Sequence, residues 1–198
     1  MSYIFILDYE HLDNGGFLKE LSKLLSVSDI PNSIFLHSDS PYTDRIMQTG
    51  FMRDEAKVRA TKELNHRLVA LFADDGIAVT GLNAYQRNVV SKNSTDGLSI
   101  DNKYLQNLLR HSHVLLTNLI DGTNGTYEHV KLTELAIEIA KKSEISAIFA
   151  FSKNFKGSFI SQNGNIQEEY PDSIEVIEDK ISLISEKNVK TGSLVLPS

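Results

Sequence analysis

Short apolar runs alternate along this chain with longer segments that have the spacing of amphipathic helices. Strands are predicted where Ile, Val, Leu and Phe are concentrated over four to six residues, at 3–7, 33–37, 77–82, 113–117 and 146–151. Such runs are too short for helices and are typical of strands buried on both faces. Repeated strand–helix–strand units fold with right-handed crossovers into parallel sheets. The alternation therefore predicts an α/β fold, with helices on both faces of a mainly parallel central sheet.

The predicted helices have apolar residues every three or four positions, which gives each helix one buried face. Their apolar stripes lie at 17–25, 64–72, 100–108, 132–139 and 174–184. Ser99 or Asp101 is expected to cap the third helix. Near the end of the chain, the Asn163-Gly164 step predicts a hairpin between 158–160 and 166–168. Because the sequence has no internal repeat or linker, we expect its 198 residues to form one domain.

Composition and charge exclude several classes of function. The net charge of −6 argues against nucleic-acid binding, which needs a clustered positive surface. The chain has no cysteine, so disulfides, thiolate metal ligands and cysteine nucleophiles are excluded. The first residues lack the pattern of a signal peptide, and no apolar stretch approaches the ~18 residues of a membrane span. We therefore expect a cytoplasmic protein that binds neither nucleic acid nor membrane.

The loop after the second predicted strand is the most informative candidate site. Ligands of open parallel sheets bind at the carboxyl ends of the strands, and this loop begins His37-Ser38-Asp39-Ser40. Its backbone N–H groups could bind an anion, with Arg45 nearby. However, the Asp39 carboxylate is expected to lie where a bound phosphate would sit, and its negative charge would repel that phosphate. The competing interpretation is a helix-capping turn in which Asp39 or Ser40 accepts backbone N–H groups.

Two further places contribute ligand-binding candidates. Asn118 follows the fourth strand, at the same edge of the predicted sheet as the His37 loop. Arg53 and Arg59 lie at the start of the second helix. These arginines either pair with Asp54 or Glu63, or bind a carboxylate ligand through paired hydrogen bonds.

Metal-binding and common nucleotide-binding motifs are missing from the sequence. Of the six histidines, His111 and His113 are close together, but no carboxylate at helical spacing accompanies them. We therefore predict no metal site. The glycines match neither a phosphate-binding P-loop nor a dinucleotide fingerprint.

Several segments correspond to a known order of elements. The second strand ends in His-Ser-Asp-Ser-Pro at 37–41, and the segment 76–82 reads Gly-Ile-Ala-Val-Thr-Gly-Leu. With the helix between them, these segments resemble the amino-acid-kinase family and, within it, the acetylglutamate kinases. That resemblance implies a carbamate-kinase-like three-layer sandwich and a homodimer formed through the helix at 55–74. It also implies ATP and Mg²⁺ as cofactors and a role in arginine biosynthesis.

The chain departs from this family at the residues that handle phosphate. The family's first-strand lysine falls at Leu7, with Asp8 beside it, and its triple glycine is replaced by 38–40, Ser-Asp-Ser. The catalytic aspartate aligns near Glu128 or His129. We further expect the chain to lack most of the nucleotide-binding lobe, because it ends where the family begins that lobe. Phosphoryl transfer depends on positioning and positive charge, so these changes predict a pseudokinase.

Three functional hypotheses remain open at this stage. The leading one is a non-catalytic, acetylglutamate-kinase-like protein without a cofactor, which binds a small carboxylate metabolite or acts as an interaction subunit. The alternative is an active ATP-dependent kinase that phosphorylates a carboxylate such as N-acetylglutamate. The third is an unrelated Rossmann-like enzyme, for which the sequence contains no fingerprint.

Overall fold

A computed structural model describes most of the first 145 residues and three strands beyond them. The described residues are 2–7, 11–13, 15–27, 31–92, 97–122, 125–143, 145, 148–152, 155–160 and 166–167. The strands are β1 (Ile4–Leu7), β2 (Ile34–His37), β3 (Val79–Asn83), β4 (Val90–Lys92), β5 (Leu98–Ile100), β6 (His113–Thr117), β7 (Leu119–Asp121), β8 (Tyr127–His129), β9 (Ile148–Ser152), β10 (Phe155–Ile160) and β11 (Ile166–Gln167). The helices are α1 (Gly15–Val27), α2 (Tyr42–Met47), α3 (Arg53–Asp74), α4 (Asn102–Leu109) and α5 (Leu132–Ser143).

The five strands predicted from the sequence lie side by side in one sheet. Their order is β9-β1-β2-β6-β3, and every neighbouring pair among them is parallel. Beyond β9, the strands β10 and β11 continue the sheet in antiparallel pairing. The mainly parallel central sheet and the predicted hairpin between β10 and β11 are therefore confirmed.

Alternate residues of the central strands pack into two separate cores, one on each face of the sheet. Phe5, Phe35 and Leu115 contact the buried faces of α1 and α3. The intervening residues Ile34 and Leu116 face the opposite core, which includes residues of α4 and α5. Because successive strand residues point to opposite faces, apolar runs without alternation cover both sides. The result is the three-layer sandwich that the sequence predicts.

The boundaries differ from the prediction at two elements. The third strand begins at Val79 rather than 77, because the N–H of Ile77 still bonds to the carbonyl of Phe72 at the end of α3. Ile100 was expected in the third helix but lies in β5, and that helix begins at Asn102. Of the two cap candidates, Asp101 is the cap, accepting the N–H of Tyr104 at 3.0 Å.

Two short hairpins, β4–β5 and β7–β8, were not predicted from the sequence. Each of the four strands in them has three residues, at least one of them polar, so none of the four shows an apolar run. The predicted helix at 174–184 lies outside the described residues.

Candidate functional site

Polar side chains gather where β2 and β6 end at the carboxyl edge of the sheet. His37 is the last residue of β2 and pairs in register with Thr117 at the end of β6. Asn118 follows directly, and its N–H bonds to the carbonyl of His37 at 3.1 Å. The parallel register of β2 and β6 therefore brings these two sequence-predicted candidates together.

Both ring nitrogens of His37 are engaged inside the protein. Nδ1 donates to the carbonyl of Ser38 at 2.9 Å, and Nε2 accepts from the side-chain amide of Asn65 at 3.1 Å. Burial lowers the pKa of His37 to about 4, opposed by its bond to the Ser38 carbonyl. His37 is therefore a neutral structural histidine with no ring nitrogen left for a ligand.

The Asp39 carboxylate is buried and is held by its own loop and α2. Ser38 Oγ donates to Oδ1 at 3.0 Å, and Thr43 Oγ1 donates to Oδ2 at 3.3 Å. The ammonium of Lys57 lies 3.9 Å from Oδ1. Ser40 Oγ accepts the N–H of Tyr42 at 3.2 Å, as the capping interpretation required. The loop therefore presents a fixed negative charge at the carboxyl edge.

His129 of β8 faces the same group of side chains. Asn118 Nδ2 donates to the carbonyl of Val130 at 2.7 Å, so its Oδ1, 3.0 Å from His129 Nδ1, is the acceptor of that ring N–H. This assignment leaves Nε2 of His129 unprotonated, buried, and without a hydrogen-bond partner among the described residues. Burial and then the charge of Lys57 lower the pKa of His129 to about 4, opposed by Asp39 and Asp54.

The pairing of Ser38 with His129 does not form a nucleophile and base. Ser38 Oγ lies 3.4 Å from His129 Nδ1, but that nitrogen bears the proton given to Asn118. The serine hydroxyl meanwhile donates to Asp39. A general base must face the hydroxyl with its lone pair, so this arrangement does not activate Ser38.

Three positions aligned above with, or next to, phosphate-handling or catalytic residues of the resembling family are occupied here by Leu7, Asp8 and Glu128. Leu7 is fully buried among the apolar residues that pack on α1 and α3. Glu128 pairs with Lys92 of the neighbouring hairpin. Asp8 lies outside the described residues. Leu7 thus supplies no charge to the carboxyl edge, and Glu128 is neutralised by its partner.

The arginine candidates are exposed on α3 and engaged by carboxylates of the same surface. Arg59 Nε donates to Glu63 at 2.7 Å, one of the two pairings considered above. Arg53 lies 4.0 Å from Asp44 rather than pairing with Asp54. Arg45, considered above for the anion loop, instead pairs with Asp13 at 2.6 Å. The structure therefore does not group these arginines with His37 and Asn118.

Sequence reasoning missed Asn65 and Lys57, which complete the polar group. Asn65 is buried on the inner face of α3 and also donates to the carbonyl of Leu115 at 3.2 Å. A signal for it exists, because Asn65 falls within the apolar stripe that includes Leu64 and Leu68. A polar residue on the buried face of a helix must have a partner in the core.

A cleft of about 610 Å³ opens on the outer side of α3, where the helix meets the β7–β8 hairpin. Its walls combine apolar and charged side chains of α3 with Thr126 and Tyr127 of the hairpin. The residues lining it are Phe51, Asp54, Glu55, Val58, Arg59, Lys62, Glu63, His66, Thr126 and Tyr127.

The described ranges contain neither a metal-binding cluster nor a helix that could span a membrane. No group of three or more His, Asp or Glu side chains there is placed to hold a metal ion. No helix there is long and apolar enough to cross a bilayer.

Comparison by sequence gives no match to any protein-family model or curated protein. Solved structures do match, each over 77% of this chain. N-acetylglutamate synthase from Neisseria gonorrhoeae, complexed with coenzyme A and N-acetyl-glutamate, has a TM-score of 0.58 at 15% identity. Isopentenyl phosphate kinase from T. acidophilum has 0.55 at 9%, and aspartate kinase from Synechocystis has 0.62 at 10%.

The matched region covers different shares of these proteins. It spans 41% of the synthase chain, 28% of the aspartate kinase chain and 70% of the isopentenyl phosphate kinase chain. Identities this low establish the fold and nothing finer. Together with the parallel strand order, these likenesses show that the chain has the amino-acid-kinase fold.

Proposed function

We propose that this protein uses the amino-acid-kinase fold without transferring phosphate, and that it binds a small carboxylate metabolite. The observation that argues against phosphate transfer is the charge at the carboxyl edge of the sheet. There Leu7 is buried in the apolar core, and the Asp39 carboxylate is fixed by Ser38 and Thr43. A site for phosphoryl transfer needs positive charge around the moving group, and this edge presents a carboxylate instead.

The Asp39 carboxylate would repel a phosphate group bound beside it, and the size of this repulsion supports the proposal. Two like charges 4 Å apart repel by about 4 kcal/mol at an effective dielectric constant near 20. Asp39 cannot easily turn away, because each carboxylate oxygen accepts a bond from a neighbouring hydroxyl. The ammonium of Lys57, 3.9 Å from Asp39 Oδ1, offsets part of this repulsion, so about 4 kcal/mol is its upper limit.

Location, cofactor and assembly form part of the same proposal. We place the protein in the cytoplasm, consistent with the absence of cysteine, and assign it no cofactor. We further propose a homodimer formed through the C-terminal half of α3 around exposed Ala70, beyond His66, the last α3 residue that lines the cleft. Closed two-fold dimers are the commonest assemblies of soluble chains.

The second candidate function is an ATP-dependent kinase that phosphorylates a carboxylate. Proteins of similar fold include an isopentenyl phosphate kinase and an aspartate kinase, which favours this candidate. Asp39 would then have to bind Mg²⁺ that bridges it to phosphate, converting the repulsion into coordination. The two candidates therefore give Asp39 opposite roles.

The two candidate functions are separated by titration calorimetry with Mg²⁺-ATP and by a coupled assay. The assay measures ADP release from ATP in the presence of N-acetylglutamate. We expect no turnover and no micromolar ATP binding by the wild type. Asp39→Asn removes the negative charge at constant shape and should, if anything, strengthen phosphate binding. The matched control is Asp44→Asn, on the exposed side of α2. Magnesium-dependent turnover by the wild type that is lost in Asp39→Asn would establish the kinase instead.

A further inference from the structure

The cleft on the outer side of α3 has the size and mixed walls of a small-molecule site. Its volume of about 610 Å³ falls within the ~300–1,000 Å³ of typical ligand pockets. Phe51, Val58 and Tyr127 supply apolar wall, and Phe51 and Tyr127 are partly exposed to solvent. Exposed aromatic side chains around a concavity are typical of binding surfaces.

The charges of the cleft are separated along the helix. Asp54 and Glu55 lie at its N-terminal end, and Lys62 lies seven residues after Glu55. Residues at this spacing share one face of a helix, and seven residues rise about 10 Å. Arg59, which lies between them, pairs with Glu63, the residue after Lys62, so that these two charges neutralise each other. The cleft therefore has an acidic end and a basic end about 10 Å apart.

Lys62 is held in place without a carboxylate partner in the described part of the chain. Its ammonium lies 3.8 Å from the ring centre of Tyr127 and 5.0 Å from that of Tyr85. The two rings are themselves in contact, with centres 4.6 Å apart. Aromatic faces attract an ammonium without neutralising it. Lys62 is thus positioned beforehand to accept an anionic group that enters the cleft.

We propose that this cleft binds a zwitterionic ligand of the short-peptide class, with a free amino group, an apolar middle and a free carboxylate. The amino group lies at Asp54 and Glu55, and the carboxylate binds Lys62. An extended chain spans about 3.3–3.6 Å per residue, so the separation of the two ends fits three residues. The middle side chain packs on Phe51, Val58 and Tyr127. This inference rests on the proposed ligand-binding role and specifies its ligand.

The inference is tested by titration calorimetry with the tripeptide Ala-Leu-Ala and with the N-acetylated and C-amidated forms of that peptide. We expect the free peptide to bind, and blocking either end to weaken it about tenfold, the effect of losing one charge-assisted hydrogen bond. Lys62→Gln should remove the preference for the free carboxylate and keep that for the free amine. Glu55→Gln should weaken the preference for the free amine. Circular dichroism checks that both variants are folded.

Matched controls lie on other helices, where Lys103→Gln on α4 and Glu134→Gln on α5 alter exposed residues away from the cleft. Both should bind the peptide as the wild type does. The inference is overturned if millimolar peptide gives no binding, or if Lys62→Gln still distinguishes acid from amide. Absence of peptide binding with no ATP turnover would reject this inference alone. ATP turnover would reject the proposed function, whatever the peptide does.

Discussion

Asn65 of α3 donates its side-chain amide to Nε2 of His37, the last residue of β2, at a distance of 3.1 Å inside the core. The same amide nitrogen also donates to the carbonyl of Leu115 in β6. One residue of a helix therefore holds the end of β2 and the middle of β6. It also fixes the tautomer of His37, because a nitrogen that accepts a hydrogen bond bears no proton.

Asn65→Ala should strongly destabilise the fold. The change leaves His37 Nε2 and one bond of the Leu115 carbonyl unsatisfied in the core, and each buried unsatisfied group costs about 1–3 kcal/mol. We expect the free energy of unfolding in urea to fall by about 2–4 kcal/mol. His66→Ala, at the next and exposed position of α3, should change it by less than about 0.5 kcal/mol. Equal losses for the two variants would contradict the structural role of Asn65.

Gly81→Ala tests the close approach of α3 to β3. A Cβ atom at Gly81 would lie 2.4 Å from Asn65 Oδ1 and 2.7 Å from Val69 Cγ2, distances that side chains do not tolerate. We expect a loss of about 1–3 kcal/mol in the free energy of unfolding, the usual cost of overpacking. Gly15→Ala at the start of α1 is the control, since its Cβ would meet no atom within 4 Å. Thermal melts in which both variants match the wild type would contradict the packing described here.

Acid should destabilise the protein through its buried histidines. The pKa of His37 is about 4 when folded against 6.5 as an ordinary value, so between these pH values the unfolded chain binds a proton that the folded chain does not. Stability is therefore complete above pH 6.5 and falls as the pH drops toward 4, by on the order of 3 kcal/mol for His37. His129 acts in the same direction.

Urea unfolding at pH 7, 5.5 and 4.5 measures this dependence. His37→Gln should show a shallower loss of stability on acidification than the wild type, whatever its stability at pH 7. Exposed His111→Gln should follow the wild-type slope. Parallel curves for all three proteins would show that His37 is not buried as a neutral residue.

The proposed homodimer is checked by sedimentation at micromolar concentration. We expect the mass of two chains for the wild type. Ala70→Glu introduces a charge on the outer face of α3 and should give the mass of one chain, because like charges would meet across the two-fold axis. Asn107→Glu, at an exposed position of α4, should leave the dimer intact. A wild type that sediments as one chain would refute the dimer.

The sequence by itself determined the layers of this protein. Runs such as Ile4–Leu7 and His113–Thr117 are buried on both faces, and that pattern indicates central parallel strands between helices. It also placed the His37 loop and Asn118 at one edge, because the carboxyl ends of parallel strands lie together. Periodicity is a local property, so the sequence displays it directly.

The tertiary structure alone decided which polar residues meet. His37, Asn65 and His129 are far apart in the sequence, and their contacts depend on strand order and on the register of β2 with β6. Arg45 pairs with Asp13 across 32 positions, which no local pattern indicates. The β4–β5 and β7–β8 hairpins were missed for a related reason: three-residue strands are too short to show a period of two, and long-range pairing stabilises them.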